Sequence, residues 1–212
     1  MQRIVNGRME TVLTVEQMRQ SDAYTIRRLV PAEELMRRAA QGVYDAVSWH
    51  GRIAILAGGG NNGGDGYALA CILAANGFAP RIFRTSAKLP PAAAFYERRA
   101  REKNIPVADF CDTVALNAYD IVVDCLLGTG FSGAVRASVH RAIQSINASG
   151  AYVVSVDINS GMDGDTGAAE LAVVSDLTVS IGYFKQGLLS EAAAPYIRAL
   201  TNVDIGILLA PG

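Results

Sequence analysis

The chain alternates between short apolar runs and longer segments whose apolar residues recur every three to four positions. Largely apolar runs at Ile53–Ala57, 119–124 and 152–157 suit buried strands, and 81–85, Leu177–Ile181 and 202–207 supply three more. Between them lie helical patterns. Thr14 followed three residues later by Gln17 forms a capping-box entry to a helix ending near Val30. Pro31 opens a second helix, in which Leu35, Met36, Ala39, Ala40, Val43 and Val47 share a face. Further helices are predicted over 67–75, 91–104 and 138–149, with Asn76-Gly77 and Gly150 as stops. A short polar segment precedes the first helix. Strands alternating with helices predict an α/β fold, a three-layer αβα Rossmann-like arrangement around a mostly parallel central sheet.

Composition narrows the class. With 212 residues, half of them apolar, the chain is long enough for one α/β domain spanning 1–212 with a substantial core. Nineteen basic residues against twenty acidic ones give no pull toward nucleic acid or an anionic membrane. Cys71, Cys111 and Cys125 are odd in number and widely spaced, so they read as reduced thiols. No apolar stretch suits a signal peptide or a membrane span, and a cytoplasmic location is expected.

Chemistry concentrates first at residues 58–66, Gly-Gly-Gly-Asn-Asn-Gly-Gly-Asp-Gly, between a strand and a helix. Gly58, Gly60 and Gly63 satisfy the spacing G-x-G-x-x-G. Glycines there permit positive φ and close ligand approach, and the helix N-terminus favours an anion, so a phosphorylated ligand is expected. The alternative is a tight turn with Asp65 as helix N-cap. No Lys-Ser/Thr pair follows, which excludes a Walker loop. The next strand leads into Arg84, Ser86 and Lys88 rather than a ribose-binding carboxylate, so the loop points to a nucleotide without pointing to hydride transfer. His50 and His140 stand apart from any cysteine pair and give no zinc pattern, and no G-x-S-x-G supports a hydrolase.

Four blocks, Asn61 to Gly66, Val123 to Gly130, Val156 to Gly161 with Asp165-Thr166-Gly167, and Lys185 to Leu189, occur in an order that resembles the NAD(P)HX epimerases, the YjeF N-terminal domain family. Gly59 and Asn159 depart from it, since the family usually has a bulkier residue, such as proline, at the first position and often proline at the second. The resemblance implies a nicotinamide nucleotide hydrated at C6 of its ring (NADHX or NADPHX) as substrate, and interconversion of its R and S forms. It implies substrate contacts at Asn61, Asn62, Gly63, Gly64, Asp65, Gly128, Thr129, Gly130, Phe131, Ser132, Gly133, Ala134 and Asp157. It places a potassium ion on Asn62, Asp124 and Ser160, all oxygen donors suited to a hard cation. It further implies a homodimer, and an NAD(P)HX dehydratase acting from a separate chain or an additional domain.

Asp157 is the candidate that gives and takes a proton as the C6 hydroxyl leaves and water returns. Lys185 is the second catalytic candidate, as proton donor or phosphate contact, against a solvated loop lysine. Asp124 and Asp157, both at strand ends, also admit a plain turn-bonding role, and Asp124 is expected near solvent. Asp22 and Glu33 read as solvated helix carboxylates. Against the epimerase stands a non-catalytic nucleotide-binding or interaction domain of the same fold. The intact Asn61, Asn62, Asp65, Asp124 and Asp157 weigh against it.

Overall fold

The computed structural model describes residues 1–5, 7–131 and 133–211. The chain opens with a hairpin, β1 (Gln2–Val5) and β2 (Arg8–Leu13), where only a polar lead-in is expected. Polar residues interrupt its apolar ones and most of it is at least partly exposed, so no apolar run marks it; Val12 and Leu13, at its inner end, are buried. Helices α1 (Val15–Arg28) and α2 (Ala32–Ala46) follow, and the Thr14–Gln17 capping box forms as expected. Then come β3 (Ile53–Ala57), α3 (Asn61–Ala75), β4 (Arg81–Arg84), α4 (Pro91–Glu102), β5 (Val107–Asp109), β6 (Ile121–Cys125), α5 (Ala137–Asn147) and β7 (Tyr152–Val156). The chain closes with β8 (Leu177–Ile181), β9 (Phe184–Lys185) and β10 (Leu200–Val203).

Seven strands form one sheet in the order β10-β8-β7-β6-β3-β4-β5, every pairing parallel. Side-chain alternation divides the core. Ile53, Ile55, Ile121, Val123, Val154 and Val179 pack with α2, α3 and α4, while Ala54, Leu56, Val122 and Val153 pack with α5. The fold is therefore the three-layer α/β arrangement the periodicity predicts. A second, three-stranded sheet pairs β2 with the hairpin partner β1 on one side and with β9 on the other, in parallel register Val12↔Phe184 and Leu13↔Lys185.

The connection from β5 returns to the far side of β3, so the chain reverses direction across the sheet between β3 and β6. In open parallel sheets the crevice at the carboxyl ends of such a strand pair is where ligands bind. Two boundaries differ from the sequence reading. Helix α3 begins at Asn61 rather than near residue 67, and β10 ends at Val203 rather than 207. After β10, Gly206 adopts φ +79° and its N–H donates to Asp204 Oδ1 (2.8 Å), which turns the chain out of the sheet.

Candidate active site at the carboxyl edge of the sheet

The glycines of residues 58–66 act by absence of Cβ rather than by positive φ, which none of them adopts. Gly58 donates its N–H to the Cys125 carbonyl at 2.9 Å, and a Cβ on it would meet the Leu126 carbonyl oxygen at 1.8 Å. A Cβ on Gly63 would meet Gly58 O at 2.1 Å, and one on Gly64 would press on Met36 at 2.5 Å. These glycines let β3, β6 and α3 approach to backbone contact. Gly60 is the helix N-cap and has open space where a Cβ would point. Asp65 lies inside α3 and does not cap it, which removes the N-cap alternative. The first N–H groups of α3 therefore face the crevice, as anion binding requires.

Below this turn, Asp124 and Ser160 interlock, and Asn62 and Ser160 meet at the Leu127 backbone. Asp124, expected near solvent, is fully buried. Its Oδ1 accepts from Leu126 N (3.2 Å) and the Ser160 hydroxyl; its Oδ2 accepts from Ser160 N (2.9 Å) and Ser155 Oγ (3.0 Å). Burial raises its carboxyl pKa, and these donors, Ser160 foremost, pull it back down. No ion pair balances it among the described residues. Asn62, 7% exposed, donates to Leu127 O (2.6 Å) and Val156 O (3.1 Å), while its Oδ1 has no partner. Ser160 Oγ also accepts from Leu127 N at 2.9 Å. A bare buried acceptor beside a buried, unpaired carboxylate fits a hard cation, so Asn62, Asp124 and Ser160 fit the potassium the resemblance implies.

Asp157 follows β7 with φ +71°, a left-handed conformation uncommon for a residue with a Cβ. Its N–H donates to Val179 O at 2.8 Å and its carboxylate to Lys185 is an ion pair, so neighbouring structure imposes the conformation. Asp157 Oδ1 holds the Lys185 ammonium, whereas Oδ2 lies 3.3 Å from where a Cβ on Gly128 would sit, at the crevice. Lys185 is neither a loop residue nor solvated: it ends β9, is fully buried, and also donates to Ser180 Oγ (3.0 Å) and Ile181 O (3.1 Å). With its three hydrogens committed inside the protein, it is no phosphate contact.

The hairpin explains that burial. Leu13 of β2 pairs with Lys185, Thr14 then caps α1, and Val15 N donates to Asp165 Oδ1 at 2.8 Å. The same helix brings Asp22 to the cluster, a residue that sequence reasoning set aside because a lone helix carboxylate carries no motif. Asp22 is half-buried, and desolvation, then the Asp157 charge, push its carboxyl up to about 7 against the opposing pull of Lys185. Asp65 is raised well above the usual range by burial, then by Asp157 and Asp22, with Lys185 again opposing.

The remaining candidates rim the crevice. Gly128 lies against Asn62 and Asp157, and Phe131 N donates to Gly128 O at 3.0 Å, turning the loop. Thr129 and Phe131 are half-buried, Asn61, Gly130, Gly133 and Ala134 are exposed, and Ser132 lies outside the described residues. Glu33 offers only a backbone carbonyl to Tyr96 (2.9 Å), on the helical side. Arg84 is committed to Asp109 (2.7 Å) and Glu97 (3.7 Å), which takes it out of the nucleotide's reach as a free cation.

Comparison with known proteins supplies independent findings. Over 207 residues the chain is 36% identical to a Limosilactobacillus fermentum protein named NAD(P)H-hydrate epimerase, covering 93% of this chain and 98% of that one. It is 39% identical over 176 residues to an Archaeoglobus fulgidus protein named bifunctional NAD(P)H-hydrate repair enzyme Nnr, covering 82% of this chain and 37% of that protein. The crystal structure of yeast ynu0 superposes with a TM-score of 0.76 at 20% identity, covering 91% and 87% of the two chains, and shares the fold. Residues 32–187 match the family described as YjeF-related protein N-terminus. That segment runs from the start of α2 to Gly187, just past Lys185, and the chain belongs to this family.

Proposed function

We propose that this protein is an isomerase that interconverts the R and S forms of hydrated NADH and NADPH in the repair of nicotinamide nucleotides. The observation that carries the reading is the convergence of Asn62, Gly128, Asp157 and Lys185 on one crevice at the β3–β6 reversal, in a chain similar over nearly its whole length to a protein named for that reaction. The α3 N-terminus and the loop from Gly128 receive the phosphates, and Asp157 Oδ2 faces the altered ring.

In this mechanism the ring nitrogen supplies its electron pair to C6 as the C6–O bond breaks, and the departing hydroxide takes a proton from a carboxylic acid to leave as water. Water then adds to the other face, forming the new C6–O bond and returning its proton to the carboxylate; nothing is consumed. Asp157 is the group that alternates between the two roles. Lys185 is a positioning cation that fixes one Asp157 oxygen and leaves the other free. Potassium, held by Asn62, Asp124 and Ser160, would supply a fixed positive charge near the substrate. An NAD(P)HX dehydratase, a domain of which the name of the bifunctional relatives is suggestive, consumes one epimer; a homodimer and a cytoplasmic location complete the reading.

The test is incubation of the separated epimers of hydrated NADH with folded protein, followed by chromatography. Interconversion well above the uncatalysed rate is expected. Unchanged epimer ratios would defeat the reading and favour a non-catalytic nucleotide-binding domain.

A further inference from the structure

The strand beside the glycine loop leads into a charge that the isomerisation does not use. β4 runs parallel to β3, with Arg84 opposite Ala57, and the chain leaves it as Thr85-Ser86-Ala87-Lys88. This segment follows the loop by roughly 20 residues, the interval at which dinucleotide sites place the residue that reads the second ribose. A carboxylate there accepts from a 2′-hydroxyl, and a cation there accommodates a 2′-phosphate. Residues 84 to 96 contain no Asp or Glu.

The segment is seated on the glycine loop itself. Thr85 N donates to Ala57 O at 2.9 Å, and a Cβ on Gly59 would meet Ser86 Oγ at 2.8 Å and Lys88 O at 2.9 Å, so the bare glycine is what admits the turn. Lys88 N donates to Ser86 Oγ at 3.1 Å and Ser86 Oγ to Lys88 O at 3.3 Å, which closes the turn and fixes the Lys88 backbone at the edge of the loop. The neighbouring charges neutralise one another. Arg84 pairs with Asp109 (2.7 Å) and Glu97 (3.7 Å), and Arg101 with Glu97 (2.5 Å), two cations against two anions. Lys88 is exposed, and its ammonium has no hydrogen bond or ion pair among the described residues, so its charge is uncompensated.

We propose that the Ser86–Lys88 turn is a 2′-phosphate subsite with Lys88 as its cation, so that hydrated NADPH is preferred over hydrated NADH. The inference deepens the proposed isomerisation and rests on it for the way the dinucleotide lies. With the pyrophosphate at the α3 N-terminus and the altered ring at Asp157, the nicotinamide half runs over β6 toward β7, and the adenosine half leaves in the opposite direction, over β4. Neighbouring strands stand about 4.8 Å apart, so the turn after β4 lies one strand from the phosphates, within reach of the second ribose. An ammonium on a flexible four-carbon stem meets a phosphate as a point charge, and Ser86 holds the turn from which that stem extends.

Calorimetry with NADP⁺ and NAD⁺ reads the subsite without requiring turnover. Wild type should bind NADP⁺ roughly fivefold to tenfold more tightly than NAD⁺ at low ionic strength, with the margin shrinking as salt screens the contact. Lys88→Gln keeps the length of the side chain and removes its charge; it should weaken NADP⁺ to the level of NAD⁺ and leave NAD⁺ unchanged. In the epimerisation assay the same variant should raise KM for hydrated NADPH alone, with kcat kept. Equal affinities in wild type, or a preference that survives Lys88→Gln, would overturn the proposal. Interconversion of both hydrates with the same KM would sink the subsite and keep the isomerase. A preference for NADP⁺ that depends on Lys88, in protein that leaves the epimers untouched, would sink the isomerase and keep the subsite; binding of neither dinucleotide would overturn both.

Discussion

The ammonium of Lys185 binds Oδ1 of Asp157 and spends its other two hydrogens on Ser180 Oγ and Ile181 O, so one oxygen of the carboxylate is anchored inside the protein while the other faces the crevice. A cation buried with a single charged partner is conditional on that partner. Lys185→Met should therefore leave Asp22, Asp65 and Asp157 without their common cation, and breaking the pair should cost about 3–5 kcal/mol of stability. Chemical denaturation measures the loss; a variant as stable as wild type would mean the pair is not what holds β9 in place.

The glycines at the head of α3 make a paired prediction. Gly63→Ala places a Cβ 2.1 Å from Gly58 O and should destabilise the fold by about 1–3 kcal/mol, whereas Gly60→Ala meets nothing within 4 Å and should leave stability unchanged. Nucleotide affinity, measured by calorimetry, should fall in both, in Gly60→Ala because the new methyl occupies the mouth of the anion site. Equal thermal stability of the two variants would contradict the packing role assigned to Gly63.

Asp22 gives a pH-dependent stability. Its carboxyl, raised from 3.8 to about 7, binds its proton more tightly folded than unfolded. Stability contributed by that proton is fully present below about 4 and is lost as pH rises through 7. Asp22→Asn removes the penalty, so it should equal wild type in acid and exceed it above neutrality by about 2–4 kcal/mol. Denaturation midpoints at pH 4 and pH 8 check the crossover, and a constant difference between the two proteins would refute it.

Asp124 and Asn62 separate structure from ion binding. Asp124→Ala strips the acceptor from Leu126 N, Ser155 Oγ and both donors of Ser160, and should cost at least about 3 kcal/mol. Asn62→Ala removes the bare Oδ1 and should keep the fold while abolishing any difference between potassium and sodium in nucleotide binding. A potassium response that survives Asn62→Ala would move the cation elsewhere.

The parallel sheet was legible because strands buried on both faces leave largely apolar runs, as β3, β6 and β7 do, with the β-branched Thr178 and Val179 marking β8. The N-terminal hairpin was not, since most of its residues face solvent and its stabilising partner, β9, lies about 170 residues away in sequence. The start of α3 was misplaced for a related reason: glycine and asparagine disfavour helix, and close packing of Gly63 and Gly64 overrides that preference. Asp157 and Lys185 were found by motif; their contact and the burial of Lys185 depend on tertiary structure. Asp22 had no local signal at all, because its significance arises only where α1 meets three charges from other elements.

The central claim is that Asp157 performs chemistry in a crevice whose other parts bind. Wild type and Asp157→Asn should be compared at saturating hydrate for epimer interconversion, with nucleotide affinity measured on the same samples. The account predicts a loss in kcat of roughly 10²- to 10⁴-fold with affinity little changed. Near-normal turnover in Asp157→Asn would contradict it.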